Sequence, residues 1–175
     1  MKFSKTDFGY DLPSELIAKY PSQQRTESKT LILDNKFTIQ FFKDTLNHFA
    51  EYDLVVLNET KVRPARILLQ KDSGGYVEIL ILQKTTKYRA VCLAKGLNRK
   101  KTNQTLYSSN FPVKIKIISN VSKDIEIEFD QDIDQLCMEI GQMPIPPYLG
   151  REAEEIDIER YQTVFANDER PGSAA

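Results

Sequence analysis

Residues 113–129, VKIKIISNVSKDIEIEF, decide the fold of the central part of this chain. Within this stretch, VKIKI and DIEIEF alternate strictly between apolar and charged side chains. Successive side chains of a β-strand point to opposite faces, so this alternation indicates two strands, each with one buried and one solvated face. Such strands are typical of antiparallel sheets.

Further strands precede this pair at short and regular intervals. The sequence from Ile67 onward contains ILLQK, YVEILILQK, YRAVCLAK and QTLYS, and Ser73-Gly74-Gly75 has the composition of a hairpin turn. This spacing predicts an antiparallel barrel or sandwich of short strands. Apolar residues return to helical spacing at Ile133–Ile140, where Gly141 is suited to end the helix.

The first part of the chain has a mixed α and β pattern. Short strands are predicted at Thr30–Asp34 and Phe37–Gln40. Short helices are predicted over residues 15–20, ELIAKY, and from Phe42 to Phe49, where apolar residues recur at helical spacing.

Residues 53–58, DLVVLN, form a continuous apolar run bounded by polar residues. Such a run is typical of a strand that is buried on both faces of an α/β sheet. We therefore expect an α/β body interrupted by an inserted small antiparallel β-barrel. The body would comprise residues 1–60 and 147–175, and the barrel residues 61–146.

Charge is unevenly distributed along the chain, although the formal net charge is only −1. Residues 61–123 contain fourteen basic residues and two acidic ones, whereas the remainder contains ten basic and twenty-three acidic residues. This excess predicts an anionic partner, such as a nucleic acid, for the central segment. The alternative is a set of solvated lysines on strand edges, which protects such edges against aggregation.

Several classes of site are disfavoured by composition. The chain has a single histidine, His48, predicted as a surface or helix-end residue, and two cysteines, Cys92 and Cys137, without CxxC spacing. This argues against Ser-His-Asp or Cys-His catalysis and against a zinc cluster, and it favours core thiols. No phosphate-binding glycine motif occurs.

The distribution of apolar residues does not suggest a membrane protein. No apolar run approaches the length of a membrane span, and the first residues, MKFSKTDFGYDLP, contain no apolar signal region. We therefore expect no membrane partner, while the cysteine usage and the single histidine lead us to expect a cytoplasmic protein without a metal.

Residues 58–66, NETKVRPAR, form the first candidate site because they follow the predicted strand at residues 53–58. Ligand sites of α/β sheets favour the carboxyl ends of strands. Asn58 offers an amide, and Lys61, Arg63 and Arg66 offer positive charge for phosphate or carboxylate. The alternative is a charged linker between domains.

The second candidate site lies near the end of the chain. Residues 143–148, MPIPPY, are stiffened by three prolines, and a helix is predicted with Ile158, Tyr161 and Phe165 on one face. Tyr161 offers a stacking face and a hydroxyl group, and Gln162 an amide suited to base edges. Gly172 and Ser173 permit close backbone approach to a ligand. The alternative for Tyr161 is a place in the core.

Four ordered blocks of this sequence resemble the S-adenosylmethionine:tRNA ribosyltransferase-isomerases of queuosine synthesis. They are DFGYDLPSELIAKYP (7–21), DLVVLNETKVRPARI (53–67), SGGYVEILIL (73–82), and GQMPIPPYLGR, RYQTVFA and PGSAA within 141–175. The sequence departs from the common NDTRVIPARL form at Lys61, which replaces an arginine, and at Arg63, which replaces an apolar residue. Lys29-Thr30 stands where an Arg-Leu pair is usual.

The resemblance implies an enzyme with an α/β domain interrupted by a small β-barrel. The reaction is the transfer and isomerisation of the ribosyl group of S-adenosylmethionine onto 7-aminomethyl-7-deazaguanine in the tRNA anticodon, which gives epoxyqueuosine. S-adenosylmethionine is a substrate there, so that no cofactor is implied, and tRNA is the macromolecular partner.

The residues expected to bind the substrates fall into two groups. Those for the reacting groups are Asn58, Lys61, Arg66, Tyr148, Tyr161, Gln162 and Ser173. Those for tRNA are Lys95, Arg99, Lys100, Lys101, Lys114 and Lys116. The general base that this chemistry requires is not assigned to any residue.

Members of the family are substantially longer than this chain, and the segment matching PGSAA continues there into a Pro-Thr-Ala-Gly-Leu-His-Phe motif. We therefore expect the chain to be the N-terminal part of such an enzyme and to be inactive alone. Two alternatives remain open. A non-catalytic RNA-binding β module would bind tRNA but not S-adenosylmethionine, and an inert truncated remnant would bind neither.

Overall fold

The computed structural model describes residues 3–51, 53–109, 111–120 and 123–167. The chain separates into two compact units, Met1–Val56 with Pro146–Arg151 and Leu57–Ile145 with Glu152–Ala175. The first unit contains a two-stranded sheet, and the second contains a larger sheet that closes on itself.

The regular structure of the first unit is a β-hairpin with several 3₁₀ turns. In the hairpin, β1 (Lys29–Leu33) pairs antiparallel with β2 (Phe37–Phe41), which confirms the two strands predicted there. The 3₁₀ turns in the described residues are Lys5–Phe8, Ser14–Leu16, Arg25–Glu27, Phe42–His48 and Pro147–Leu149.

The helix predicted from Phe42 to Phe49 is present as a 3₁₀ helix over Phe42–His48, whereas only the 3₁₀ turn Ser14–Leu16 stands where a helix is predicted over residues 15–20. A helix of one or two turns is not stable through propensity alone and depends on a buried apolar face. None of the described side chains in this unit is buried, so nothing within it supplies that face.

The strand predicted at residues 53–58 is also wrong. These residues take part in no strand pairing with the described part of the chain, and Leu54 and Val56 are 90% and 86% exposed. A strand that is buried on both faces needs hydrogen-bonded neighbours and covering layers, and the described residues provide neither here. The α/β body consequently stays a prediction.

The second unit is built around a closed antiparallel barrel of six strands. The strands are β3 (Arg66–Gln70), β4 (Tyr76–Lys84), β5 (Arg89–Lys95), β6 (Asn103–Ser108), β7 (Phe111–Ser119) and β8 (Ile125–Phe129). They are hydrogen-bonded in the order β4-β5-β8-β7-β6-β3, and β3 closes the circle by pairing with β4. The predicted barrel and its strands are thus confirmed.

Alternating side chains of these strands fill the barrel. On β8, Ile125, Ile127 and Phe129 are buried while the glutamates between them face outward, as the DIEIEF pattern predicts. Ile127 lies directly opposite Ile117 of β7. Each aliphatic side chain buried in this way contributes about 1.5–3 kcal/mol relative to an exposed one, and their common interior is the core of the unit.

Helix α1 (Ile133–Ile140) adds Ile133 and Leu136 to the same core and confirms the helix predicted there. The Asp132 side chain caps its first turn by accepting a hydrogen bond from the Asp134 amide at 2.8 Å. A short strand, β9 (Gly141–Gln142), follows directly and pairs with the beginning of β3.

Gly141 ends α1 for a steric reason. Its φ of −72° is accessible to any residue. A Cβ atom at this position would, however, lie 2.0 Å from the Pro64 carbonyl oxygen and 2.3 Å from that of Cys137. The absence of a side chain therefore allows the end of α1 and the start of β3 to approach closely.

The second helix, α2 (Glu155–Arg160), is shorter than predicted. The Glu154 amide donates a hydrogen bond to Asp157 Oδ2 at 2.8 Å, which closes a capping box at its first turn. The helix ends at Arg160, so Tyr161 is its C-cap and Phe165 lies outside it.

The predicted domain boundaries after residues 60 and 146 remain predictions. The compact units divide the chain at slightly different places, after Val56 and after Ile145. The segment from Glu152 onward groups with the barrel, whereas the sequence predicts that it returns to the first domain.

The contact around Gly141 can be tested by substitution. Gly141→Ala should lower the free energy of unfolding by about 1–3 kcal/mol, because the methyl group has to displace backbone atoms. Gly75→Ala is the matched control, since a Cβ atom there meets nothing closer than 3.7 Å. Thermal and urea unfolding of both variants would measure the difference, and equal stabilities would contradict the close packing.

Candidate functional site

The two segments predicted from sequence as candidate sites contact each other through Gln162. Its Nε2 donates to the Val62 carbonyl oxygen at 2.5 Å, and its Oε1 accepts from the Val62 amide at 2.8 Å. The side-chain amide thus pairs with both backbone groups of a residue one hundred positions earlier. The side-chain amide of Gln162 therefore makes the same pair of hydrogen bonds to Val62 that the backbone of a neighbouring β-strand would make.

Further along, the two segments pair through their backbones. Thr60 and Asn167 form a parallel β-bridge, and the Asn167 amide donates to the Glu59 carbonyl oxygen at 2.9 Å. Together with the Gln162 contact, this holds residues 59–62 against residues 162–167. We call these two paired stretches the clamp.

The clamp changes the role expected for Gln162. The sequence suggested an amide that is available for base edges, but both ends of this amide are engaged by Val62. The side chain is half-buried, and an unpaired backbone amide or carbonyl in such a place is costly. Gln162 therefore shapes the candidate site by holding residues 59–62 in place.

Asn58 lies at the exposed start of the clamp. Its Oδ1 accepts a hydrogen bond from the Thr60 amide at 2.9 Å, which orders the turn into the paired segment. Lys61, three residues later, is half-buried and lies within the clamp itself. The structure thus places these two predicted residues on one short stretch of backbone.

Arg66, in contrast, is engaged by a carboxylate of the barrel. Its Nη2 donates to Glu78 Oε2 at 3.1 Å, and its Nε lies 3.0 Å from Glu78 Oε1. This ion pair, with one hydrogen bond through Nη2, joins β3 to β4 across the hairpin. The guanidinium predicted to bind substrate therefore has a structural partner.

Arg63 also has a partner within the barrel unit. Its Nη1 lies 3.6 Å from Asp134 Oδ1 on α1, and Lys84 forms an ion pair with the same carboxylate. The structure thus shows Arg63 joining the approach to β3 with α1.

The remaining predicted residues are placed separately. Tyr161 is half-buried at the C-cap of α2, next to Gln162. Tyr148 is exposed on the Pro147–Leu149 turn, which belongs to the first compact unit. Ser173 and Gly172 lie outside the described residues.

The basic residues predicted for RNA contact form two sets. Lys95 and Lys100 are exposed at the end of β5 and on the β5–β6 connection, where Arg99 is half-buried. Lys101, Lys114 and Lys116 line a common groove of about 380 Å³ along β6, β7 and β8. The sequence pattern did not distinguish these sets.

Closure of the barrel brings acidic residues close to this basic segment. Residues 57–145 together carry fourteen basic and ten acidic residues, because β8 and α1 add carboxylates just beyond residue 123. Glu128 of β8 lies opposite Lys116 on one side and Arg89 on the other, and forms an ion pair with Arg89. The unit is therefore less basic than residues 61–123 considered alone.

The two cysteines and the histidine, which could act as nucleophiles or bases, lie outside the clamp. Burial raises the pKa of the Cys92 thiol to about 12 and that of the Cys137 thiol to about 11. Both thiols therefore stay protonated at neutral pH, as expected of core cysteines. His48 is exposed at the end of a 3₁₀ turn, with Nε2 3.2 Å from Gln40 Oε1, which confirms its predicted surface position.

No group of three metal-ligating side chains comes together in the part of the chain that the structure describes. The helices of that part fall short of the length and apolar character that a membrane crossing requires.

Two structural partners escaped the sequence analysis. Glu78 pairs with Arg66, and the register of the β3–β4 hairpin would have suggested this, because Glu78 lies opposite Leu68 and is therefore a diagonal neighbour of Arg66 on the same face. Asp134 gathers Arg63 and Lys84, but it comes from a distant helix and has no comparable local signal.

Comparison with known proteins gives consistent matches. The family model described as "Queuosine biosynthesis protein" matches residues 5–175. An S-adenosylmethionine:tRNA ribosyltransferase-isomerase of Acinetobacter baumannii is 42% identical over 174 residues, which cover 97% of this chain and 49% of that protein. Its namesake from Nitrosococcus oceani is 38% identical over 175 residues, covering 97% and 50%. The chain thus spans about half the length of the curated relatives it matches.

Among solved structures, a crystal structure of S-adenosylmethionine tRNA ribosyltransferase from Thermotoga maritima matches at 26% identity with a TM-score of 0.38. The match covers 82% of this chain and 52% of that one. A likeness of this extent does not bear on the description of the fold.

The clamp predicts a specific effect of Gln162. Gln162→Leu should lower the free energy of unfolding by about 1–3 kcal/mol, because both backbone groups of Val62 lose their partner. In this variant, amide hydrogen exchange at Val62 and Asn167 should be faster than in the unaltered chain, whereas exchange at barrel positions such as Ile127 should change less. Gln135→Leu, at an exposed position of α1, is the control, and unchanged exchange in Gln162→Leu would refute the clamp.

The cysteines give a pH-dependent prediction. The Cys92 pKa lies about three units above the ordinary 9.0, so its thiolate fraction at pH 8.5 is about a thousandfold lower than in the unfolded chain. Iodoacetamide should alkylate the folded chain correspondingly slowly. The folded state retains the proton that the unfolded state loses, so this contribution to stability is complete below about pH 9 and is lost as the pH rises toward 12.

Cys137→Ser isolates Cys92 in this measurement. If Cys92 of the folded variant is alkylated as fast as in urea, the thiol is not buried as described.

Proposed function

Because the chain belongs to the family of queuosine biosynthesis proteins, we propose that it is part of an S-adenosylmethionine:tRNA ribosyltransferase-isomerase. This is the activity for which the curated relatives are named. The observation that favours it most is the clamp, since it joins the two segments that the resemblance assigns to substrate binding.

The proposed reaction consumes S-adenosylmethionine and a tRNA whose anticodon carries 7-aminomethyl-7-deazaguanine. A base removes a proton from the carbon beside the positively charged sulfur, which stabilises the resulting carbanion. Adenine then leaves the ribosyl group, the amine of the modified base attacks it, and methionine is released as epoxyqueuosine forms. The base for the first step is not assigned to a residue of this chain.

The residues in the clamp and immediately before its two stretches suit the binding part of this chemistry. Asn58 offers an exposed side chain at the start of a turn that its own Oδ1 keeps in shape. Lys61 brings positive charge to the same stretch, and Tyr161 brings an aromatic ring beside Gln162. An amide, a cation and a ring are the groups that a nucleoside with a carboxylate requires.

We assign Arg66 and Gln162 an indirect part in this site. Arg66 is held by Glu78, and Gln162 by Val62, so that each fixes the backbone from which Asn58 and Lys61 extend. Displacements of about an ångström are enough to cost large factors in rate, so residues that fix the backbone matter to turnover without touching the substrate.

A non-catalytic RNA-binding module is the second candidate function. The lysine-lined groove of the barrel favours it, because RNA binding there needs no second substrate. An assay for adenine release distinguishes the two functions, because an RNA-binding module binds RNA but leaves S-adenosylmethionine intact.

The proposal can be tested with a chimera in which this chain replaces the matching half of the Acinetobacter baumannii relative. Given S-adenosylmethionine and tRNA carrying 7-aminomethyl-7-deazaguanine, the chimera should release adenine, while the 175-residue chain alone should not. Asn58→Ala and Tyr161→Ala in the chimera should each lower turnover about tenfold, the effect of losing one good contact, with little change in melting temperature.

The relative itself, in the same assay, is the positive control. A folded chimera that binds tRNA but releases no adenine, while the relative does, would refute the proposed activity. Robust turnover by the 175-residue chain alone would show that the site is complete within it.

A further inference from the structure

The connection between β5 and β6 forms a basic turn that is held by its own hydrogen bonds. The Lys101 amide donates to the Asn98 carbonyl oxygen at 3.2 Å, and the Lys100 amide donates to Asn98 Oδ1 at 3.1 Å. These bonds fix the backbone that carries Arg99, Lys100 and Lys101.

Gln104 strengthens this turn from inside the barrel. It occupies an inward-facing position of β6 and is only 8% exposed. Its Nε2 donates to the carbonyl oxygens of Asn98 at 3.0 Å and of Lys101 at 2.9 Å. One buried amide thus ties together the two ends of the turn, at a strand position where an apolar side chain would otherwise be expected.

Arg99 secures the turn from the other side. Its Nη2 donates to the Lys123 carbonyl oxygen at 2.9 Å, and Asn120 Nδ2 donates to the Arg99 carbonyl oxygen at 2.9 Å. Arg99 therefore joins the turn to the connection between β7 and β8. This use of the guanidinium differs from the direct RNA contact that the sequence suggested.

The turn places Lys101 at the rim of the groove that Lys114 and Lys116 also line. Among the described residues, none of these three lysines takes part in an ion pair. Of the two acidic residues of the groove, Glu128 pairs with Arg89 outside it, whereas Asp130 Oδ1 accepts a hydrogen bond from the Lys114 backbone amide within it at 3.0 Å.

We propose that this groove binds the phosphodiester backbone of an RNA through Lys101, Lys114 and Lys116, with Gln104 and Arg99 as positioning residues. The inference rests on the proposed function for the identity of that RNA as a tRNA. A turn that is already ordered lowers the entropic cost of binding. Phe129, the aromatic residue of the lining, is buried, so the groove lacks the exposed aromatic anchor typical of a protein interface.

Binding of an anticodon stem-loop RNA to the 175-residue chain, followed by fluorescence anisotropy at several salt concentrations, tests the proposal without any reaction. The double variant Lys114→Gln, Lys116→Gln should weaken binding about tenfold or more and reduce the slope of log K against log salt by about 1 for each lysine. Lys36→Gln with Lys71→Gln removes the same charge outside the groove and should change affinity less than twofold. Equal effects of the two pairs, or no RNA binding by the chain, would overturn the proposal.

Gln104→Leu tests the positioning role, because it keeps the charge and nearly the volume. It should weaken RNA binding severalfold and leave the slope of log K against log salt unchanged. Lower stability alone would not weaken binding as long as the chain is folded. Unaltered affinity in a folded Gln104→Leu chain would refute this role. If groove variants bind RNA normally while the chimera releases adenine, the groove assignment fails and the proposed function stands.

Discussion

Strand β3 closes the barrel, and the same strand determines where the candidate site begins. It pairs with β4 along its length, with β9 at its start and, through Gln70, with Tyr107 of β6. Residues 58–65 lead directly into this strand. A slip of one residue would turn the Arg66 side chain into the core and break its pair with Glu78, and the clamp would be displaced with it. The position of the site therefore depends on the hydrogen-bond register of the barrel.

The closed barrel also determines which charges remain available for a partner. Sequence order keeps the basic stretch at residues 61–123 apart from the acidic residues that follow it, but β8 lies between β5 and β7. Glu128 consequently meets Arg89 and Lys116 on neighbouring strands. Cross-strand pairs of opposite charge contribute only a few tenths of a kcal/mol up to about 1 kcal/mol each. Their larger consequence here is that part of the positive charge is compensated within the unit.

The sequence could predict the barrel because each strand carries its own evidence. VKIKI and DIEIEF alternate within a few residues, and Ser73-Gly74-Gly75 marks the hairpin without reference to distant parts of the chain. Residues 53–58 gave the opposite result, because an apolar run shows a tendency toward burial but does not supply the neighbours that a buried strand needs. The clamp and the Gln104 contacts were not predictable, since an amide that pairs with backbone has the same sequence signal as one that faces solvent.

The basic residues of the barrel unit fall into two groups, which are distinguished by whether a carboxylate pairs with them. Arg63, Arg66 and Arg89 lie next to carboxylates and join elements of the barrel unit. Arginine suits this use because its guanidinium stays charged and presents several donors to a carboxylate. Lys101, Lys114 and Lys116 line a groove in which none of them forms an ion pair among the described residues, although Glu128 lies opposite Lys116. Charge that is compensated inside the unit contributes little to long-range attraction. In the proposed complex the groove lysines therefore supply the attraction of an RNA, whereas Arg63, Arg66 and Arg89 help to fix the barrel unit that presents them.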